Sequence, residues 1–181
     1  MQQINIQYMP TPFGELMLGT YNQQLCLCDW RYRKMRNAVD NRIKRLLDAN
    51  YVEQTDNVIV QTKAELIEYF AGKRQTFDLP LLLVGTDFQK SVWQQLLRVE
   101  YGTTASYLSL ATAMNNAKAI RAVGTANGAN GISIIVPCHR IIGSDGKLVG
   151  YAGGLNSKEK LLHLEANTVG KYTLTHSLEL F

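Results

Sequence analysis

Apolar residues spaced two apart open the chain. Ile4 and Ile6, Leu16 and Leu18, and Leu25 and Leu27 form three such sets, separated by turn-rich Thr11, Pro12, Phe13, Gly14 and by Tyr21, Asn22. Side chains alternate between faces along a strand, so this pattern predicts two or three antiparallel strands. Cys26 and Cys28, also two apart, are then expected on one face. From residue 32 to 49 the period lengthens. Met35, Val39, Ile43, Leu46 and Leu47 recur at helical intervals and predict an amphipathic helix. The cluster Arg31, Arg33, Lys34, Arg36 beside it reads as a solvated helix face rather than a phosphate contact, because Asp40 and Asp48 share the segment. A second helix over 62–71 ends at Gly72, and an apolar run over 78–84 follows.

Beyond Thr86 the pattern turns to short, closely spaced helices. Thr86 with Gln89 three residues later has capping-box form, and Phe88, Val92, Trp93, Leu96 and Leu97 continue it until Gly102. Ser106 caps a predicted helix over 107–114, Asn115 and Asn116 make a turn, and 117–127 forms a third. Helix, turn, helix of this size has the shape of a helix-turn-helix element, which any helical hairpin shares. Residues 132–136, Ile-Ser-Ile-Ile-Val, read as a buried strand running into Pro137, Cys138, His139, Arg140.

Composition narrows the class. Among 181 residues 46% are hydrophobic and 19% charged, which describes a globular chain rather than a disordered one. Three cysteines, Cys26, Cys28 and Cys138, cannot form a fully paired disulfide framework, and no leader segment opens the sequence, so a reducing, cytoplasmic setting is expected. No run of 18 or more apolar residues exists to span a membrane. The net charge of +4 is uneven: residues 1–85 hold 10 Lys and Arg against 9 Asp and Glu, and residues 86–165 hold 8 against 5. The surplus lies in the second half, a mild bias towards anionic partners there.

Cys138 carries the candidate chemistry. A free thiol with a pKa near 8.5 is only about 3% thiolate at neutral pH, and burial lowers that further, so a nucleophilic cysteine needs a base. His139 is adjacent, and Asp145, Glu159 and Glu165 are the acids able to orient an imidazole. Glu165, among Leu161, Leu162 and Leu164, is badly placed unless something pairs with it. A Cys-His dipeptide also arises by chance, and a buried cysteine is often only a small hydrophobe. The flanking residues add a small-residue turn over 127–131 and a glycine-rich loop over 143–154 able to wall a pocket. Neither fits a phosphate loop. Cys26 and Cys28 read as core residues, since His139, His163 and His176 complete no ligand spacing, and no metal is expected.

The run Lys118, Ala119, Ile120, Arg121, Ala122, Val123, Gly124, then Asn127 to Asn130, Pro137 to Arg140 with Ile141, Ile142 and Gly143, and Gly150 to Leu155, strongly resembles the O6-alkylguanine-DNA alkyltransferases, the methylated-DNA:protein-cysteine methyltransferases. The resemblance covers residues 86–165 in order; the front half joins it more loosely through Thr11, Pro12, Phe13, Gly14. It departs at Asn115, Asn116, Ala117, where a glycine, an asparagine and a proline are usual, and at Asp87 and Gly131, where proline is common.

The resemblance implies an α/β fold, with a ribonuclease-H-like antiparallel sheet domain over 1–85 and a mainly helical, winged-helix-like domain over 86–181 carrying the helix-turn-helix. Cys138 would accept the alkyl group of O6-alkylguanine, and more weakly O4-alkylthymine, from a flipped-out base in double-stranded DNA, once per molecule and without a cofactor. His139 would take the thiol proton through a water, Glu165 would orient His139, and Asn130 would tie the helix-turn-helix to the cysteine segment. Tyr107 would crowd the phosphate and bond the base, Arg121 would fill the vacated stack, and Tyr151 with the backbone of Ala152 would line the pocket. A monomer is expected. A non-reactive DNA-binding module and a thiol hydrolase are the other classes these residues allow.

Overall fold

The computed structural model describes residues 2–171; His176 and Glu179 fall outside them, as does most of the segment after Ala166 whose order the sequence leaves open. The three alternating segments form antiparallel strands β1 (Gln2–Thr11), β2 (Gly14–Tyr21) and β3 (Gln24–Trp30). A fourth strand, β4 (Ala49–Glu53), lies parallel to β1 and completes the order β3-β2-β1-β4. Its sequence, Ala-Asn-Tyr-Val-Glu, alternates too weakly to announce itself. The connection through helix α1 (Arg36–Leu47) brings it back alongside β1, as a parallel pair requires.

Both faces of the sheet are covered. Val39 and Ile43 of α1 pack on one face with Ile4, Ile6, Met17, Cys26 and Leu27. Helix α2 (Asn57–Phe70) and the second half of the chain close the other, where Leu16, Leu18, Leu25 and Cys28 join Trp93, Leu96, Val136 and Leu161 in one cluster. That shared core fixes the sheet against the helices.

Cys26 and Cys28 therefore do not share a face. Thr20 pairs with Leu25 and Gly19 with Leu27, so Cys26 is an extra residue between them, a β-bulge that reverses the alternation. Cys26 Sγ bonds Gly19 O, and burial pushes its thiol up to about 12. Helix boundaries also moved. The helix expected over 32–49 begins at Arg36, leaving Tyr32 and Met35 exposed on a loop. The α2 helix starts five residues earlier than the apolar pattern shows, because Asp56 caps it by accepting from Ile59 N at 2.9 Å.

The basic cluster is a solvated face only in part: Lys34 is exposed, but Arg33 and Arg36 turn inward. Arg33 is buried, donating to Asp29 Oδ2 at 2.8 Å, to Asn130 O at 3.0 Å and to Gly128 O. Arg36 reaches the same Asp29 oxygen at 3.0 Å, and Ser133 Oγ donates to Asp29 Oδ1 at 2.9 Å. The acid two residues after the bulge strand's Leu27 thus gathers cations that sequence spacing assigned to solvent. Arg33 clamps the sheet to the loop before Cys138. Arg33→Met should leave the buried Asn130 carbonyl and the partly buried Gly128 carbonyl without this donor and Asp29 with Arg36 and Ser133 only, a loss of about 2–4 kcal/mol. Urea unfolding measures it, and a loss below about 1 kcal/mol would be that of a surface cation.

The helices of the second half follow the sequence more closely than those of the first. Helix α3 (Asp87–Leu96) has the Thr86 and Gln89 capping box, and α4 (Tyr107–Ala113) has a second one from Ser106 and Ser109. Asn115, with φ of 57°, turns the chain. A single 3₁₀ turn, Ala117–Ala119, leads into α5 (Ile120–Gly128). Residues 105–106 (β5) and 141–142 (β6) form a short parallel pair, and α6 (Leu155–Thr168) closes the described chain.

Residues 132–136 are not a strand. Only Ile132 bridges Cys28, after which Ile134 takes a φ of 73° and Val136 N turns back to Ile132 O at 2.9 Å. The Asn130 side chain supplies what a neighbouring strand would: Oδ1 accepts from Ile132 N at 2.9 Å and Nδ2 donates to Val136 O at 2.9 Å. The β-branched run reflects burial on every side, which looks the same in sequence.

Candidate active site

Cys138 begins a 3₁₀ turn, Cys138–Arg140, directly after Pro137. Its thiol lines a cleft of about 720 Å³ between the two halves of the chain and is otherwise buried. Burial pushes the thiol up, and the Asn130 amide, donating to Sγ at 3.1 Å, pulls part of that back. Asn130 thus holds both the turn before Cys138 and its sulfur.

His139 points away from solvent. Burial lowers its pKa, opposed by Glu165 and assisted by Arg140 and Lys158, so the ring is neutral at pH 7. Nε2 lies 2.7 Å from Glu165 Oε1, while the buried Nδ1 bonds no atom of the described residues. Of the three candidate acids, only Glu165 reaches the histidine: Asp145 pairs with Lys147 on an exposed loop and Glu159 sits 3.9 Å from His163. Burial alone would raise the Glu165 carboxyl. His139 and Arg140, through charge and hydrogen bonds, hold it far below the usual carboxylate range.

Three further groups complete that carboxylate. Arg140 donates from Nε to Oε2 at 2.9 Å and from a terminal nitrogen to Oε1 at 3.0 Å. Gly102 N donates to Oε2 at 3.1 Å, and Tyr69, from α2, donates its hydroxyl to Oε1 at 2.7 Å. None of the three carried a site signal. Arg140 is next to the histidine, but Tyr69 is one of two adjacent aromatics at the end of a helix remote in sequence.

The cleft walls come from both halves. Tyr107, Asn127, Tyr151 and Ala152 line it with Cys138, and Phe13, in the β1–β2 turn, and Trp30, at the end of β3, line it from the first half. Tyr107 donates its hydroxyl to Val149 O at 3.2 Å, and burial, with Cys138 nearby, raises its pKa. Trp30 Nε1 donates to the Tyr151 hydroxyl at 3.1 Å, their rings edge to face at 6.1 Å. A Cβ on Gly153 would stand 2.6 Å from the Trp30 ring, so the loop lies on the indole only because that position is glycine. Lys158 fastens the same loop from behind, its buried ammonium donating to Ile141 O, Val149 O and Gly150 O. Burial brings that ammonium down to about 8, with Cys138 opposing.

Arg121 is not among the residues lining the cleft; it stands exposed in the first turn of α5. Among the described residues no His, Cys, Asp or Glu group could hold a metal ion, and no helix is long and apolar enough to cross a membrane. What the arrangement offers is one thiol at an open cleft, a neutral imidazole oriented by an anionic carboxylate behind it, and a phenol beside it. Such a set suits nucleophilic attack by sulfur with the proton removed to the rear.

Two family models match, in order: the ribonuclease-like domain of 6-O-methylguanine DNA methyltransferase over residues 4–83, and its DNA binding domain over residues 87–167. The methylated-DNA–protein-cysteine methyltransferase of Methanosarcina barkeri is 55% identical over 159 residues, 88% of this chain and 95% of that protein. The constitutive enzyme of that name from Bacillus subtilis is 41% identical over 156 residues, 86% of this chain and 91% of its own. Among solved structures, Mycobacterium tuberculosis O6-methylguanine methyltransferase superposes with a TM-score of 0.77 at 38% identity, covering 91% of this chain and 94% of that one. Mycobacterium tuberculosis OGT in complex with DNA gives 0.76 at 37%, covering 92% and 94%. With both halves matched in sequence and in fold, this chain belongs to the 6-O-methylguanine DNA methyltransferase family.

Proposed function

We propose that this protein repairs alkylated DNA by direct reversal, moving the alkyl group from O6 of guanine, and more weakly from O4 of thymine, onto Cys138. The observation that carries this reading is the buried thiol exposed only to the cleft, with Asn130 on its sulfur and the His139–Glu165 pair behind it. A base stacked in duplex DNA cannot present its O6 substituent there, so the nucleotide is flipped into the cleft. Arg121, exposed on α5, fills the gap in the stack and offsets part of the unstacking, which costs a few kcal/mol. Residues 86–181 supply the DNA-docking and reactive surface and residues 1–85 the supporting wall.

In the reaction the thiol proton passes to His139 Nδ1 through a bridging water, since Nε2 is committed to Glu165. The sulfur lone pair forms the new S–C bond as the C–O6 bond breaks in line behind it. The electrons of the broken bond stay on the departing guanine, and Tyr107, turning from Val149 O, donates a hydrogen bond to the charge that develops. Tyr151 and the Ala152 backbone hold the O6 side. The thioether has no route back, so one molecule acts once, as a monomer in the cytoplasm.

The test is the intact mass of the protein after incubation with a duplex containing O6-methylguanine. A gain of one methylene, capped at one per molecule, is expected. Turnover beyond one equivalent would point to a hydrolase or other catalyst, and duplex binding with no mass gain to a non-reactive module.

A further inference from the structure

Tyr69 stands outside the reactive segment in sequence and inside it in space. It comes from α2, is fully buried, and packs edge to face against Phe70 and Tyr101 with Phe77 tilted beside it. Nothing in that aromatic cluster needs a hydroxyl. Yet the hydroxyl donates at 2.7 Å to Glu165 Oε1, the same oxygen that faces His139 Nε2 at 2.7 Å. A phenylalanine would fill the space equally well.

We infer that Tyr69 is a positioning residue for alkyl transfer, whose hydroxyl fixes the proton arrangement of the Glu165 and His139 pair. Among the described residues, every other hydrogen bond to Glu165 comes from a fixed donor, Tyr69 and Arg140 on Oε1 and Arg140 and Gly102 N on Oε2, with His139 Nε2 facing Oε1. A carboxylate so surrounded has no room for a proton of its own. The imidazole proton must then sit on Nε2, which leaves the Nδ1 lone pair as the base. Tyr69 also shares the negative charge of Oε1, and so weakens the hold of that oxygen on an imidazolium. Both effects keep His139 neutral and correctly oriented.

Below about pH 7, where the acid limb lies, the other groups facing the pair keep their sign. Arg140 and Lys158 are cations that disfavour a charged imidazole, Tyr101 and Tyr151 are neutral phenols, and Cys138 adjoins the ring in sequence. Removing the Tyr69 hydroxyl leaves Oε1 more negative. That stabilises the imidazolium, so the pKa of His139 rises.

The inference rests on alkyl transfer to Cys138 with His139 as base, and the experiment separates the two. Single-turnover transfer from O6-methylguanine duplex is measured against pH for the wild type, Tyr69→Phe and Tyr101→Phe, the last removing a hydroxyl from the same cluster without touching Glu165. In Tyr69→Phe the acid limb should move up by about half to one pH unit, slowing transfer roughly three- to tenfold below the limb and less than about twofold above it. Tyr101→Phe should keep the wild-type limb. The ring resonances of His139, titrated by NMR in unreacted protein, should shift in the same direction, a readout that does not require transfer. An unmoved limb and an unmoved His139 titration in folded Tyr69→Phe overturn the inference while the repair reading stands. Failure of the wild type to take up methyl overturns the reading itself.

Discussion

Cys138→Ser is expected to abolish methyl uptake while leaving the fold and duplex binding intact. The substitution exchanges one chalcogen for another at a position only 3% exposed, so the core keeps its shape and the stability change should stay within about 1–2 kcal/mol. Asn130 can donate to a serine oxygen as it does to Sγ. Reactivity does not survive. A thiol reaches its anion at modest cost even when burial raises its pKa, whereas a buried hydroxyl does not, and loss of a nucleophile removes far more than a thousandfold in rate. Intact mass and a gel-shift assay on the same sample decide the matter: no added methylene, with the duplex still shifted. Uptake by the serine variant would assign the acceptor to another residue, and the other two cysteines make poor substitutes. Cys26 lies under the sheet with its thiol pushed up to about 12, and Cys28 is buried on the opposite face.

The geometry of the candidate site is legible in the sequence where its contacts are local. Cys138 and the Asn130 turn lie within eight residues of each other, and the bonds from the Asn130 side chain to Val136 O and Cys138 Sγ run over those few positions. Glu165 was singled out by its oddity, a carboxylate in an apolar helix, and the structure supplies five donors for it. The capping boxes at Thr86 and Ser106 were equally local, and the start of each helix followed. What stayed hidden depends on contacts across the chain. Arg33 looks like any residue in a basic cluster until Asp29 and the carbonyls of Gly128 and Asn130, nearly a hundred residues away, surround it. Tyr69 and Trp30 carry no mark in the sequence of the bonds they make, because packing sets a 3.6- or 2-residue period and a hydrogen bond from the ring edge sets none. The β-bulge at Cys26 and the turns over 132–136 failed for one reason: apolar side chains report burial, and only the backbone bonds decide the conformation.

Loss of the Glu165 carboxylate should be the most damaging change outside the nucleophile, because fold and reaction both use it. Glu165→Ala strands the Tyr69 hydroxyl, the Arg140 guanidinium, the Gly102 N–H and His139 Nε2 in a dry interior, and an unpaired buried cation alone is worth about 3–5 kcal/mol. Glu165→Gln separates the two uses. It keeps the volume and one acceptor oxygen, but its amide NH₂ must face donors on one side. Where it faces His139, the imidazole moves its proton to Nδ1 and the base is lost, so transfer should fall about a hundred- to ten-thousandfold with a smaller loss of stability. The acid dependence of the wild type carries the same signature. Glu165 has a folded pKa below its unfolded 4.5, so its contribution is full above that value and is lost as pH falls through the folded one. His139, neutral when folded and charged below 6.5 when unfolded, adds a penalty that grows as pH drops from 6.5. Both act in one direction: stability should rise with pH up to about 6.5. In Glu165→Gln the carboxylate part of that dependence should vanish, leaving a shallower acid slope. A variant that unfolds along the wild-type curve below pH 4.5 would show that the five-donor carboxylate does not hold the two halves together.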